Sequence, residues 1–77
     1  MIEREVEERV SKALADASVT ARGDDHRMEI RVVSSAFEGL SRVKQQQLVY
    51  AAIAELISAG RLHAVSIQAL TPAQARG

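Results

Sequence analysis

Few side chains in this chain of 77 residues have chemistry beyond packing to offer, and the most suggestive is His63. It stands in Gly60-Arg61-Leu62-His63-Ala64-Val65-Ser66-Ile67-Gln68-Ala69-Leu70-Thr71-Pro72, where His63, Val65, Ile67 and Ala69 alternate with Leu62, Ala64, Ser66 and Gln68. That period of two predicts a strand, and Gly60 can end the helix before it in a left-handed conformation. The imidazole then sits at the leading end of the strand, where the chain emerges from a core. Such a ring can bind a metal or switch its charge near neutral pH, although a lone histidine so placed is usually packed or solvated. The second histidine, His26, follows Asp24 and Asp25 in a polar turn. These three could touch a metal, although consecutive turn residues rarely converge on one ion. Arg42 and Lys44 open a long helical pattern, where charge and free amides together can hold phosphate.

The composition narrows the chemistry. Without cysteine the chain has no disulfide framework, no thiolate nucleophile and no cysteine cage for zinc or iron and sulfur, so any metal it handles needs ligands from elsewhere. Ten Lys and Arg balance ten Asp and Glu, which removes the global positive field expected of a nucleic-acid binder and favours a protein partner or a small site. No nucleophile elbow, P-loop, dinucleotide glycine pattern or zinc-protease helix is present, and the carboxylates of the Glu-rich first segment are explained by solvation. The chain is expected not to be an enzyme. Its charged start, Met-Ile-Glu-Arg-Glu-Val-Glu-Glu, is unlike a signal peptide and no run is long enough for a membrane span, so the expected compartment is the cytoplasm.

The elements that would position these residues follow from periodicity. Ile2, Val6, Val10, Ala13, Leu14 and Ala17 recur at helical steps and predict an amphipathic helix over 2–17. Ser18 to Arg22 and Arg27 to Ser34 read as strands joined by the Gly23-Asp24-Asp25 turn, with Met28, Ile30 and Val32 on one face and Arg27, Glu29 and Arg31 on the other. Ala36 to Leu40 is too short for a regular helix and predicts a single turn that plants Phe37 in the core. Ser41 caps a helix whose apolar face is read as Val43, Gln46, Val49, Tyr50, Ile53, Leu56 and Ile57. The order helix, strand, strand, helix, strand predicts an α/β (α+β) two-layer sandwich with a three-stranded mixed sheet. Residues 1–72 form one domain in this reading, and 73–77 a flexible tail without core residues. The order is similar to a type II KH fold, but the Gly-x-x-Gly clamp is missing and stacking aromatics are nearly so.

Two stretches together carry a more specific likeness. Phe37-Glu38-Gly39-Leu40-Ser41-Arg42-Val43-Lys44-Gln45-Gln46-Gln47-Leu48-Val49-Tyr50 and Leu62 to Pro72 resemble the BolA-like family, with the greatest likeness to its IbaG/YrbA branch, over about Gly23 to Pro72. The resemblance implies an α-β-β-α-β fold and an adaptor that pairs with a monothiol glutaredoxin of the Cys-Gly-Phe-Ser type. The two proteins would share a bridging [2Fe-2S] cluster in iron-sulfur trafficking, iron homeostasis and stress response. By this resemblance His63 matches the family's C-terminal ligating His, and the glutaredoxin Cys, glutathione and a residue of the hairpin loop supply the rest. Members of the branch often carry His-Phe at the positions of Arg27 and Met28, whereas this chain has its loop histidine one place earlier, at His26. The alternative implied by the family is a DNA-binding transcriptional regulator acting through Phe37 to Lys44, with Arg42 and Lys44 on the nucleic acid. Pairing of the chain with itself is left open.

Overall fold

The computed structural model describes residues 2–14 and 16–77. The elements in chain order are helix α1 (Ile2–Ala13), strands β1 (Ser18–Gly23) and β2 (Met28–Val33), a 3-10 turn at Ser35–Phe37, helix α2 (Arg42–Ser58), strand β3 (Val65–Leu70) and a short helix α3 (Pro72–Arg76). The sheet order is β1-β2-β3, with β1 antiparallel to β2 and β2 parallel to β3. The parallel pairing requires a crossover, and α2 supplies it. Both long helices lie on one face of the sheet, α1 against β1 and α2 against β3. This is the expected two-layer α+β sandwich.

The alternation in β2 decides which face is covered. Met28, Ile30 and Val32 are buried and Glu29 and Arg31 exposed, so the helices close over one face while the other stays wet. Val6 and Val10 from α1, Val49, Ile53 and Leu56 from α2, Leu62 and Phe37 complete the core. Phe37 is fully buried. It is delivered by the 3-10 turn, whose first free amide, that of Ala36, donates to the Ser34 hydroxyl at 3.0 Å. The Ser41 hydroxyl accepts from the Lys44 amide at 3.2 Å and starts α2 where expected. At the other end Gly60, at φ +76°, lets its own amide reach Ile57 O at 3.0 Å and the Arg61 amide reach Leu56 O at 2.9 Å, closing the last turn.

Four expectations are revised. Helix α1 ends at Ala13 rather than Ala17. Asp16 sits in the left-handed region at φ 53°, and its carboxylate accepts from the Ser34 hydroxyl (3.2 Å), the Ser35 amide (3.2 Å) and the Ser35 hydroxyl (2.6 Å). This polar clamp turns the chain out of the helix, and Ala15 lies outside the described residues. In α2 the covered face is Gln45, Val49, Ile53 and Leu56, whereas Val43 and Tyr50 are 65% and 46% exposed. The helix lies over an edge strand with α1 on one flank only, so its other flank has nothing to cover it. Gln45 is buried because its amide donates to the Phe37 and Leu40 carbonyls at 3.1 and 3.2 Å, tying the 3-10 turn to the helix. The regular ladder of β3 starts at Val65, leaving Leu62 to Ala64 as an extended approach with Leu62 plugged into the core. Finally, residues beyond Thr71 form α3, capped by reciprocal bonds between Thr71 and Gln74, with no residue buried.

Candidate functional site

The hairpin loop and the approach to β3 meet at one end of the sheet. Gly23, at φ +125°, places the loop so tightly that a Cβ there would stand 2.1 Å from Arg27 O. The Asp24 amide donates to Arg27 O at 3.0 Å, and the Asp24 carboxylate accepts from the amides of His26 (3.0 Å) and Arg27 (3.1 Å). An aspartate that bonds its own main chain in this way fixes a turn without help from the core. The parallel pairing of β2 and β3 then extends past the ladder: the Met28 amide donates to Ala64 O at 2.9 Å and the His63 amide to Asp25 O at 3.0 Å. That last bond joins the two candidate histidines' segments directly.

His26 and His63 therefore stack, with ring centroids 5.8 Å apart and planes inclined by 18°. Both residues are exposed, the His26 side chain at 80%, and Asp25 Oδ1 lies 4.0 Å from His26 Nε2. Among the described residues no group of three or more His, Cys, Asp or Glu is arranged to hold a metal ion. The donor set is two imidazoles facing solvent, half of the four ligands a [2Fe-2S] cluster takes. That fits a cluster shared with a partner and does not fit one held by this chain alone.

The surroundings are polar and anchored. A shallow depression of about 570 Å³ beside the loop is lined by Ile2, Glu3, Gly23, Asp24, Asp25 and Arg61. Arg61, two residues before His63, is held to α1 by a two-toothed pairing with Glu5 at 2.8 and 2.6 Å. Arg61 holds the Glu5 carboxyl below the usual carboxylate range, and Glu5 raises Arg61 in turn. The amides of Arg27 and His26 likewise lower Asp24, and Ser35 lowers Asp16. A carboxylate whose folded pKa is depressed contributes stability that is present above its unfolded value, about 4, and is lost as the pH falls through the folded value. The loop is therefore expected to loosen below about pH 4. The nuclear Overhauser contact between the two imidazoles should fade over that acid window in the wild type, and be weakened at every pH in Asp24→Ala, which lacks the carboxylate that accepts the His26 and Arg27 amides. A contact unchanged in Asp24→Ala would show that the aspartate does not hold the loop.

The other sequence candidates lie elsewhere. Arg42 and Lys44 are exposed in the first turn of α2, away from the imidazole pair, and Arg42 borders a groove of about 280 Å³ between α2 and β3. The wet face of the sheet carries a trough of about 500 Å³ whose lining includes Thr20, Arg22, Glu29, Arg31, Ser66 and Gln68. Sequence reasoning missed the supporting roles of Glu5 and Arg61, whereas Asp24 bonds its own main chain as expected of that turn. Only the Asp-rich turn gave a signal, since nothing local announces a pairing between residues 5 and 61.

These features define a class: a small KH-like α+β domain, without its own metal centre among the described residues, that offers a pair of solvent-facing imidazoles at one end of its sheet. Comparison with known proteins gives the class its family. Residues 3–74 match the family described as BolA-like protein. The acid stress protein IbaG of Escherichia coli K12 is 40% identical over 74 residues, which span 96% of this chain and 88% of that protein. The structure of a bolA protein homologue from Coxiella burnetii superposes with a TM-score of 0.83 at 27% identity, covering 96% of this chain and 95% of that one. The BolA domain of SufE1 from Arabidopsis thaliana gives 0.77 at 31% identity over 94% and 93%. This chain belongs to the BolA-like family. Among the described residues no helix is long and apolar enough to cross a membrane.

Proposed function

We propose that this protein is a cluster-handling adaptor that pairs with a monothiol glutaredoxin and contributes ligands to a [2Fe-2S] cluster bridging the two, in iron-sulfur trafficking and the response to stress. The observation that carries the reading is the exposed His26 and His63 stack, set by the bond between the His63 amide and Asp25 O, in a chain with no cysteine. His63 is the principal ligand, because its segment is anchored by Leu62 in the core and by Arg61 on α1. His26, on the loop, is the second. A neutral imidazole can replace thiolate on iron, and an edge that supplies two ligands must take the others from a partner's cysteine and from glutathione. Membership of a family containing an acid stress protein supports the stress role.

The test is to add the protein to an iron-loaded monothiol glutaredoxin with glutathione and to follow visible absorption and circular dichroism. The wild type is expected to shift the cluster bands, His63→Ala to abolish the shift, and His26→Ala to leave a smaller one. Both rings are exposed, so neither change should unfold the chain. Bands that ignore the wild type, or move equally for His63→Ala, would overturn the adaptor reading.

A further inference from the structure

We propose that the open face of the sheet binds a small phosphate monoester with a hydroxyl-bearing body, gripped by Arg22 and Arg31. The strand register lays this face out as a grid. Arg22, Glu29 and Ser66 stand side by side across the strands, and Thr20, Arg31 and Gln68 form the neighbouring row. All are exposed on the side away from the helices, and they line the trough of about 500 Å³, within the roughly 300 to 1,000 Å³ that small ligands occupy. The molecule treats its arginines differently on its two sides. Those on or against α1 are paired: Arg4 lies 3.7 Å from Glu8, Arg9 3.5 Å from Glu5 and Arg61 2.6 Å from Glu5. On the sheet face Arg22, Arg31 and Glu29 have no ion pair or side-chain hydrogen bond among the described residues. Glu29 is the cross-strand neighbour of Arg22, yet the two are not closed on each other.

Arg31 is the centre of the site. Its row offers a hydroxyl, a guanidinium and an amide in succession across roughly 10 Å, twice the strand spacing. An oxyanion on the Arg31 fork can therefore accept from Thr20 and Gln68 as well. Arg22 is the diagonal neighbour of Arg31, about 7 to 8 Å away between Cα atoms, and its long side chain can close on the same anion. Two guanidiniums at this spacing repel one another unless an anion lies between them, and a phosphate monoester brings about two negative charges at neutral pH. The strands carry arginine and no lysine, and the planar fork is the cation that takes two oxygens at once. Glu29 and Ser66 set the other half of the ligand. The carboxylate repels a second anion beside Arg22 and accepts from hydroxyl groups instead. Larger anions find less to hold. The grid has no aromatic ring on which a base could stack and no apolar side chain to anchor a polypeptide.

This site is independent of the adaptor reading, because it uses neither imidazole and is tested on the metal-free chain. The test is an amide NMR titration in phosphate-free Tris buffer with ribose 5-phosphate, inorganic phosphate and ribose as probes. Ribose 5-phosphate is expected to move the Thr20, Arg31 and Gln68 signals saturably, with a dissociation constant of about 0.1 to 1 mM. Inorganic phosphate should bind at least about threefold more weakly, and ribose should move nothing. Arg31→Gln is expected to weaken binding of the ester at least about tenfold and Arg22→Gln at least about threefold, while Arg76→Gln, on α3, leaves it unchanged. Circular dichroism of these variants should match the wild type, as the side chains are exposed. No saturation by about 10 mM, equal constants for Arg31→Gln and wild type, or shifts confined to residues outside the grid would each overturn the proposal. Equal affinity for inorganic phosphate and the ester would overturn it too, since the body would then contribute nothing. So would tighter binding of a single-stranded oligonucleotide through the same signals, which would assign the face to nucleic acid.

Discussion

Gly23→Ala should destabilise the protein by about 2 to 4 kcal/mol and part the two imidazoles, although the change adds a single methyl group. The new Cβ would stand 2.1 Å from Arg27 O, 3.1 Å from Arg27 C and 3.2 Å from Met28 Cα, all of them backbone atoms that no rotamer change can move. The backbone at φ +125° is also foreign to residues with a Cβ. Relief must come from opening the loop, which breaks the bond from the Asp24 amide to Arg27 O and carries His26 with it. Gly39 and Gly60 are the controls. Each has positive φ but open space around the missing Cβ, so alanine there should cost only about 1 to 2 kcal/mol. Urea titration gives the energies and the ring-to-ring nuclear Overhauser contact gives the geometry. Equal losses at Gly23 and Gly60 would show that the loop tolerates the crowding, and the account of how His26 is placed would fail.

Phe37→Ala is expected to cost about 3 to 5 kcal/mol. Set against the roughly 4 to 12 kcal/mol that a domain of this size has in all, the change removes from about a quarter to the whole of the stability. The ring is fully buried in a short turn, and the residues around it are committed elsewhere. The Phe37 carbonyl takes the Gln45 amide, and Ser34 holds the start of the turn. These bonds keep the backbone from collapsing into the space the ring leaves, so the cavity term should be felt nearly in full. A measured loss below about 1.5 kcal/mol would mean that the turn moves inward and that Phe37 is not the plug it is taken to be.

Both results would bear on how legible the fold was. The alternation in β2, the Ser41 cap and the single turn carrying Phe37 are local patterns, and each appears where periodicity put it. The face of α2 was legible only in part. Hydropathy alone ranks Val43 and Tyr50 as core, and only the placement of the helix above an edge strand shows that their flank has no neighbour. The burial of Gln45 was illegible for the complementary reason: a polar side chain is covered only where two particular carbonyls converge on it.

The candidate site divides in the same way. The amino-acid sequence by itself determined that iron could not be held by thiolates here and that the chemistry-bearing side chains were two histidines separated by 37 positions, at a turn and at the start of a strand. It did not determine that they meet. That was decided by the parallel register of Met28 with Val65 and by its continuation through the His63 amide to Asp25 O. Strand register is a long-range property, set by how the crossover helix and the shared core align two segments distant in the chain. Spacing along the backbone cannot express it.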